Sequence, residues 1–110
     1  MENTTLFLDI ISKKLPSTTI YEDEKVIAFL DKFPVSPGHF LVVPKNYSRN
    51  LFSISEQDFL YLVKKARELA IEQVKKLNAS SFKLLINNEK DAQQTIFHTH
   101  VHIIPFYKKD

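Results

Sequence analysis

The chain has no cysteine and a single glycine, Gly38. Without a thiol there is no disulfide, no cysteine nucleophile and no cysteine-bound zinc. With one glycine, the other positions that favour it, in tight turns and where backbone approaches a ligand, must be managed by residues carrying side chains. Long apolar runs are missing too. Asp9 and Ser12 interrupt the first fifteen positions, so neither a secretory signal nor a membrane span is expected, and a cytoplasmic location is the default. Neither sign of charge prevails: 15 basic against 13 acidic side chains leave a formal +2, and the lysines are scattered. Nucleic-acid binding, which calls for a clustered basic face, is not expected. The 110 residues suit one domain with one core.

What is there is histidine in a pattern. Three of the four stand in His98-Thr99-His100-Val101-His102. In a β-strand alternate side chains share a face, so these imidazoles would line one side and Phe97, Thr99, Val101 and Ile103 the other. A neutral imidazole offers a lone pair near pH 7 and can attack phosphorus, pass protons or bind a metal. Neighbouring rings disfavour each other's protonation, which singles out the central His100 as nucleophile. His39, just after Gly38, could reach the same site as an orienting partner. Three histidines with water as fourth ligand would equally hold a catalytic zinc, and the histidines alone leave both readings open. The polar run Asn87 to Thr95, next to them, favours a phosphate cradle of amide and hydroxyl donors.

The remaining pattern predicts the elements. Thr4 or Thr5 caps a short helix with Leu6, Phe7, Ile10 and Ile11 inward, stopped by Pro16. Strands are expected at Thr18–Tyr21, Val26–Leu30, His39–Val43, Ser81–Asn87 and Ile96–Ile104. Ser55 opens a long helix to Leu77, with Asn78 as a left-handed cap. The expected fold class is α+β: about five mostly antiparallel strands, one long and one short helix, the helices mainly on one face, leaving the other face free for a site.

The sequence resembles the histidine triad family of nucleotide hydrolases and transferases. The resemblance rests on His98 to Ile104, on Gly38-His39-Phe40-Leu41-Val42-Val43-Pro44-Lys45, on Tyr21-Glu22-Asp23, on Ala28-Phe29-Leu30-Asp31 and on the Asn87 to Gln94 loop, and it spans nearly the whole chain, 1–110 reading as one such domain. It implies a homodimer with a sheet continued across the interface. It implies hydrolysis at a nucleotide α-phosphate through a nucleotidyl-histidine, with His100 as nucleophile, His98 and His39 orienting it and tuning its charge, and His102 bonding a phosphate oxygen. Histidine rather than glutamine at 102 implies a hydrolase rather than a transferase.

Leu6, Phe7, Ile10 and Phe29 would form the base pocket, and Asp31 would hold the ribose. Asn87, Gln93, Gln94 and Thr95 would surround the phosphate. Within the family the nucleotide-binding phosphoramidase branch fits best, acting on purine nucleoside 5′-phosphoramidates to release AMP or GMP, with no metal or other cofactor required. A dinucleoside polyphosphate hydrolase and a nucleotide-binding adaptor are the rivals. Three positions depart from the family pattern. Glu89 and Gln93 stand where glycine is usual, and Lys32 replaces a commonly apolar residue at the base pocket. Thr5 and Leu8 occupy positions where some members carry zinc cysteines, so no structural zinc is expected.

Overall fold

Ser55 starts the long helix as expected. Its hydroxyl accepts the Asp58 N–H at 3.1 Å, satisfying one of the donors that a helix start leaves without partners. Glu56 and Asp58 in the first turn, and Lys75 and Lys76 in the last, complement the helix dipole. Asn78, at φ 55°, then turns the chain out through the left-handed region. The computed structural model describes residues 1–109. In chain order they form α1 (Leu6–Ile11), β1 (Thr19–Glu22), β2 (Val26–Leu30), β3 (Phe40–Pro44), α2 (Glu56–Lys76), β4 (Ser81–Leu85), a 3₁₀ turn (Lys90–Ala92) and β5 (Val101–Phe106). The strands make one sheet in the order β1-β2-β3-β5-β4, with every neighbouring pair antiparallel. This is the α+β class read from the sequence.

The two-residue alternation of β2 and β3 sorts their side chains onto two apolar faces. Val26, Ala28, Phe40 and Val42, with Val101 and Ile103 of β5, pack against Leu62, Ala66, Leu69 and Ala70 of α2. Ile27, Phe29, Leu41 and Val43 pack against Phe7 and Ile10 of α1. The helices therefore cover opposite faces, not mainly one. The reason is that β2 and β3 are apolar on both sides, and a second hydrophobic face left bare would cost about 25 cal/mol for each Å² exposed. The site face is thus partly roofed by α1 rather than free.

Several boundaries differ from the sequence reading, and at β5 and the start of α1 the reason is that the chain found other hydrogen-bond partners. β5 begins at Val101, not Ile96. The Phe97 N–H donates to the Asn3 carbonyl at 2.7 Å and the Thr99 N–H to the Ser48 carbonyl at 2.8 Å, so 96–100 runs outside the ladder. At α1, Thr5 makes no side-chain cap. The Asn3 side-chain carbonyl does so instead, accepting the Thr5 and Leu6 amides at 3.3 and 3.1 Å. α1 ends at Ile11, with Lys13 in the left-handed region at φ 68°, well before Pro16. β4 stops at Leu85 rather than Asn87. Gly38 is where glycine's freedom is used: its φ of +88° would strain a residue with a side chain, and a Cβ there would push Leu77 Cδ1, 2.5 Å away, aside. Among the described residues no helix is long and apolar enough to cross a membrane.

Candidate active site

The sheet register builds the floor of a cleft. Phe29 pairs with Leu41, and Leu41 with His102, so the three side chains stand side by side across β2, β3 and β5 on the α1 face. The cleft has a volume of about 810 Å³. Leu6, Phe7 and Ile10 wall one side, Asp31, Lys32 and Phe33 form a rim, and Thr95, Ile96, His100 and His102 close the polar end.

The protons on the imidazoles follow from their partners, because an amide N–H only donates and a carbonyl only accepts. The His39 Nδ1 accepts the Val35 N–H at 3.0 Å, so its proton sits on Nε2. That Nε2–H donates to His102 Nδ1 at 3.0 Å, with Asp31 Oδ2 3.5 Å away. The His102 proton is then on Nε2, available to an oxygen in the cleft. His100 Nδ1–H donates to the His98 carbonyl at 2.7 Å, which leaves a bare lone pair on Nε2. His98 Nε2–H donates to the Pro44 carbonyl at 2.7 Å. Its Nδ1 is the one buried side-chain polar atom without a partner among the described residues. The His98 ring is fully buried, edge-on to Phe7 and Tyr47 at centroid distances of 5.8 and 5.3 Å.

Two expected placements differ in this geometry. His98 does not stand beside His100 and His102 on one strand face, since only His102 lies within β5. What it presents to His100 is its backbone carbonyl. His39 bonds to His102 rather than to His100, so any orienting it does acts one ring further on.

All four imidazoles are held below the usual histidine pKa, in each case chiefly by burial. The Asp31 carboxylate opposes this at His39, and the Pro44 carbonyl at His98. At His102 the neighbouring His39 adds to burial and Asp31 opposes it. His100 is pushed down to about 4, with its bond to the His98 carbonyl working the other way and the His102 and His98 rings adding to burial. His100 is therefore neutral, with Nε2 free, at any pH near 7.

A cation would meet a different donor set from the one the motif suggests. The groups that converge are Asp31, His39 and His102, with ligand atoms within 4.8 Å of one another, not the three histidines of the motif. His39 could ligate through Nε2 only by moving its proton to Nδ1, where it would meet the Val35 N–H head-on.

The phosphate loop departs further from expectation. The Gln94 side chain is buried and fully used: its oxygen accepts from Asn50 Nδ2 and the Glu89 N–H at 2.9 and 2.8 Å, and its nitrogen donates to the Arg49 and Ile96 carbonyls at 2.8 and 3.0 Å. It has nothing left to offer a phosphate. Asn87 and Gln93 are not among the residues that line the cleft. It is Asn88 that anchors the loop, its oxygen accepting the Leu51 N–H at 2.8 Å. Of the four expected phosphate residues only Thr95 lines the cleft. Glu89 and Gln93, the positions where glycine is usual, both have positive φ, 78° and 73°. The Glu89 carboxylate points to Arg49 and Asn50, away from the cleft. Those bonds, Arg49 first, hold its pKa down to about 2. Sequence reasoning missed Leu41, which the alternation of β3 and its pairing with His102 could have supplied. It also missed Arg49 and Asn50, for which no local pattern gave a signal.

The chain is similar to several known proteins. A 13.1 kDa HIT-like protein of Mesomycoplasma hyorhinis is 69% identical over 104 residues, 94% of either chain. Adenylylsulfatase HINT3 of Arabidopsis thaliana is 36% identical over 110 residues, all of this chain and 56% of that one. Among solved structures, a histidine triad nucleotide-binding protein of Sulfolobus tokodaii superposes with TM-score 0.92 at 40% identity, covering 94% of this chain and 70% of that one. A HIT family hydrolase of Clostridium thermocellum gives TM-score 0.83 at 33% identity, covering 100% and 96%. The match to the HIT domain runs over residues 12–109. From β1 through the last histidine of the motif, this protein belongs to the HIT domain family.

Proposed function

We propose that the protein is a purine nucleoside phosphoramidase: it hydrolyses a nucleoside 5′-monophosphate joined to an amine by a P–N bond. The observation that carries the reading is the free Nε2 lone pair of a neutral, buried His100 at the polar end of a cleft walled largely by apolar side chains. The base rests among Leu6, Phe7, Ile10 and Phe29, and Asp31 accepts from the ribose. His100 Nε2 attacks phosphorus, an Nε2–P bond forms, and the P–N bond breaks as the amine leaves with a proton from solvent at the cleft mouth. Positive charge grows on the His100 ring, and its Nδ1–H bond to the His98 carbonyl strengthens with it. His102 Nε2–H donates to a phosphoryl oxygen, at the end of the chain from Val35 through His39. One such donor is worth about 10²–10³ in rate. Water then attacks phosphorus, the Nε2–P bond breaks, and AMP or GMP is released.

No metal or other cofactor takes part in this scheme. The protein acts as a homodimer; β4 is a sheet-edge strand with Leu84 part-exposed, able to meet a second copy. An adenylylsulfatase and a HIT family hydrolase among the similar proteins support a hydrolase. Of the two positions behind the binding-protein rival, Glu89 and Gln93, Glu89 turns its charge to Arg49.

The test compares a fluorogenic adenosine phosphoramidate with a diadenosine polyphosphate, each with and without a chelator. Faster turnover of the phosphoramidate, unchanged by chelation, is expected. Preference for the polyphosphate identifies the other hydrolase branch. Activity that chelation removes and added metal restores contradicts the metal-free scheme.

A further inference from the structure

Glu89 combines φ 78° with ψ 162°, a region of backbone space open essentially to glycine alone. A side-chain residue persists there only when its surroundings over-determine the conformation. The surroundings are visible. Arg49 Nε and Nη2 donate to the two Glu89 carboxylate oxygens at 2.8 and 2.9 Å. Asn50 Nδ2 adds a bond at 2.6 Å, and the Glu89 N–H is held by Gln94 Oε1 at 2.8 Å. The same guanidinium grips Glu2 with two further bonds, at 2.6 and 2.8 Å, and lies over the Phe97 ring with its carbon 4.3 Å from the centroid. Next to Glu2, Asn3 caps α1 through its side chain and takes the Phe97 N–H on its carbonyl.

Arg49 is outside the cleft, yet it ties together the two segments that wall it. One is the loop from Glu89 that delivers Thr95 and Ile96. The other is the N-terminal segment that delivers Leu6, Phe7 and Ile10. A planar guanidinium can bridge two carboxylates in bidentate fashion; an ammonium cannot.

We propose that Arg49 is a positioning residue for nucleotide binding, clamping the phosphate loop through Glu89 and the base-side helix through Glu2. At position 89 the clamp does with side chains what a glycine would do with its backbone. This rests on the nucleotide reading of the cleft and adds to it the device that sets its width.

The test measures AMP and GMP binding by calorimetry, steady-state kinetics, and amide exchange of Thr95 and Ile96 in the unliganded protein. Arg49→Met keeps the packing over Phe97 and removes both ion pairs. It should raise Kd and KM about tenfold, leave kcat within about twofold and speed exchange of both amides. Arg49→Lys should not rescue. Arg49→Met combined with Glu89→Gly should recover part of the lost affinity and slow exchange partway, because glycine adopts φ 78° without strain while the Glu2 tie stays broken. Unchanged Kd and KM in Arg49→Met overturn the proposal, as does a lower kcat at constant KM, the mark of a merely structural role. A double variant no better than the single one overturns the glycine-replacement argument. Wild-type protein that binds neither nucleotide refutes the nucleotide reading instead, and amide exchange then still decides whether the clamp exists.

Discussion

His100→Ala abolishes turnover of a nucleoside phosphoramidate, by about 10⁴-fold or more, while AMP affinity changes only a few-fold. The size of the effect follows from the proton assignment. No other imidazole can substitute as nucleophile. His39 has its Nδ1 lone pair on the Val35 amide and its Nε2 proton on His102. His102 carries its proton on the nitrogen facing the cleft. The free nitrogen of His98 is buried against aromatic rings. Binding survives because the apolar wall and Asp31 are untouched. The measurement pairs fluorogenic turnover with calorimetry of AMP, and a thermal melt confirms that the variant, which loses the contact of His100 with Phe7, remains folded. Residual turnover within about tenfold of wild type would contradict the role given to His100.

The second large effect is on stability below neutral pH. A histidine whose folded pKa is depressed binds its proton later than it does in the unfolded chain. As pH falls, the unfolded state is protonated first, so stability is fully present above about 6.5 and is lost as pH falls through the folded value. For His100 that window runs from about 6.5 to about 4. A gap of this width is worth on the order of 3 kcal/mol. His39, His98 and His102 are shifted in the same direction and add to the loss.

The acidic groups act in a lower window. Burial works against the ionised form of Asp23, but hydrogen bonds from Tyr61, the Val26 and Lys25 amides and Tyr21 prevail and hold its pKa well below the usual range. Glu22 is lowered by bonds from Lys13 and Lys45. Their contributions are present above about pH 4 and are lost as pH falls further. Urea unfolding at pH 7.5, 5.5 and 4.5 should show the midpoint falling in the first window already, and His100→Gln should flatten that slope. A midpoint constant from pH 7.5 to 4.5 would show that the His100 ring is not buried neutral.

Much of the fold was legible because it rests on local signals. Ser55, the charges at both ends of α2 and Asn78 mark that helix, and the short apolar run Val26–Leu30 marks β2 to the residue. The four histidines and Asp31 were read as one site, and they do meet at or beneath the cleft. What was not legible depends on partners distant in sequence. Whether 96–100 joins the sheet is decided by Asn3 and Ser48, each some fifty residues or more away. Which proton each imidazole carries is decided by Val35, Pro44 and the carbonyl of His98. Gln94 is polar and sits beside the triad, yet it is consumed by Arg49, Asn50, Glu89 and Ile96. The scarcity of glycine was itself a signal. It foretold that some position would need an uncommon backbone without glycine to supply it, and Glu89 is such a position; the arginine that stabilises it lies forty residues upstream, beyond the reach of any periodicity.

The central claim is that phosphorus becomes bonded to His100 Nε2, and one measurement addresses it directly. Wild-type protein mixed with an adenosine phosphoramidate is quenched within milliseconds into base, where a phosphoryl-histidine bond survives, and analysed by intact and peptide mass spectrometry. The expected result is one adenylyl group per chain, on the peptide containing His98 to His102, localised to His100 and absent from His100→Ala. Turnover without any adduct, or an adduct that persists in His100→Ala, would contradict the account.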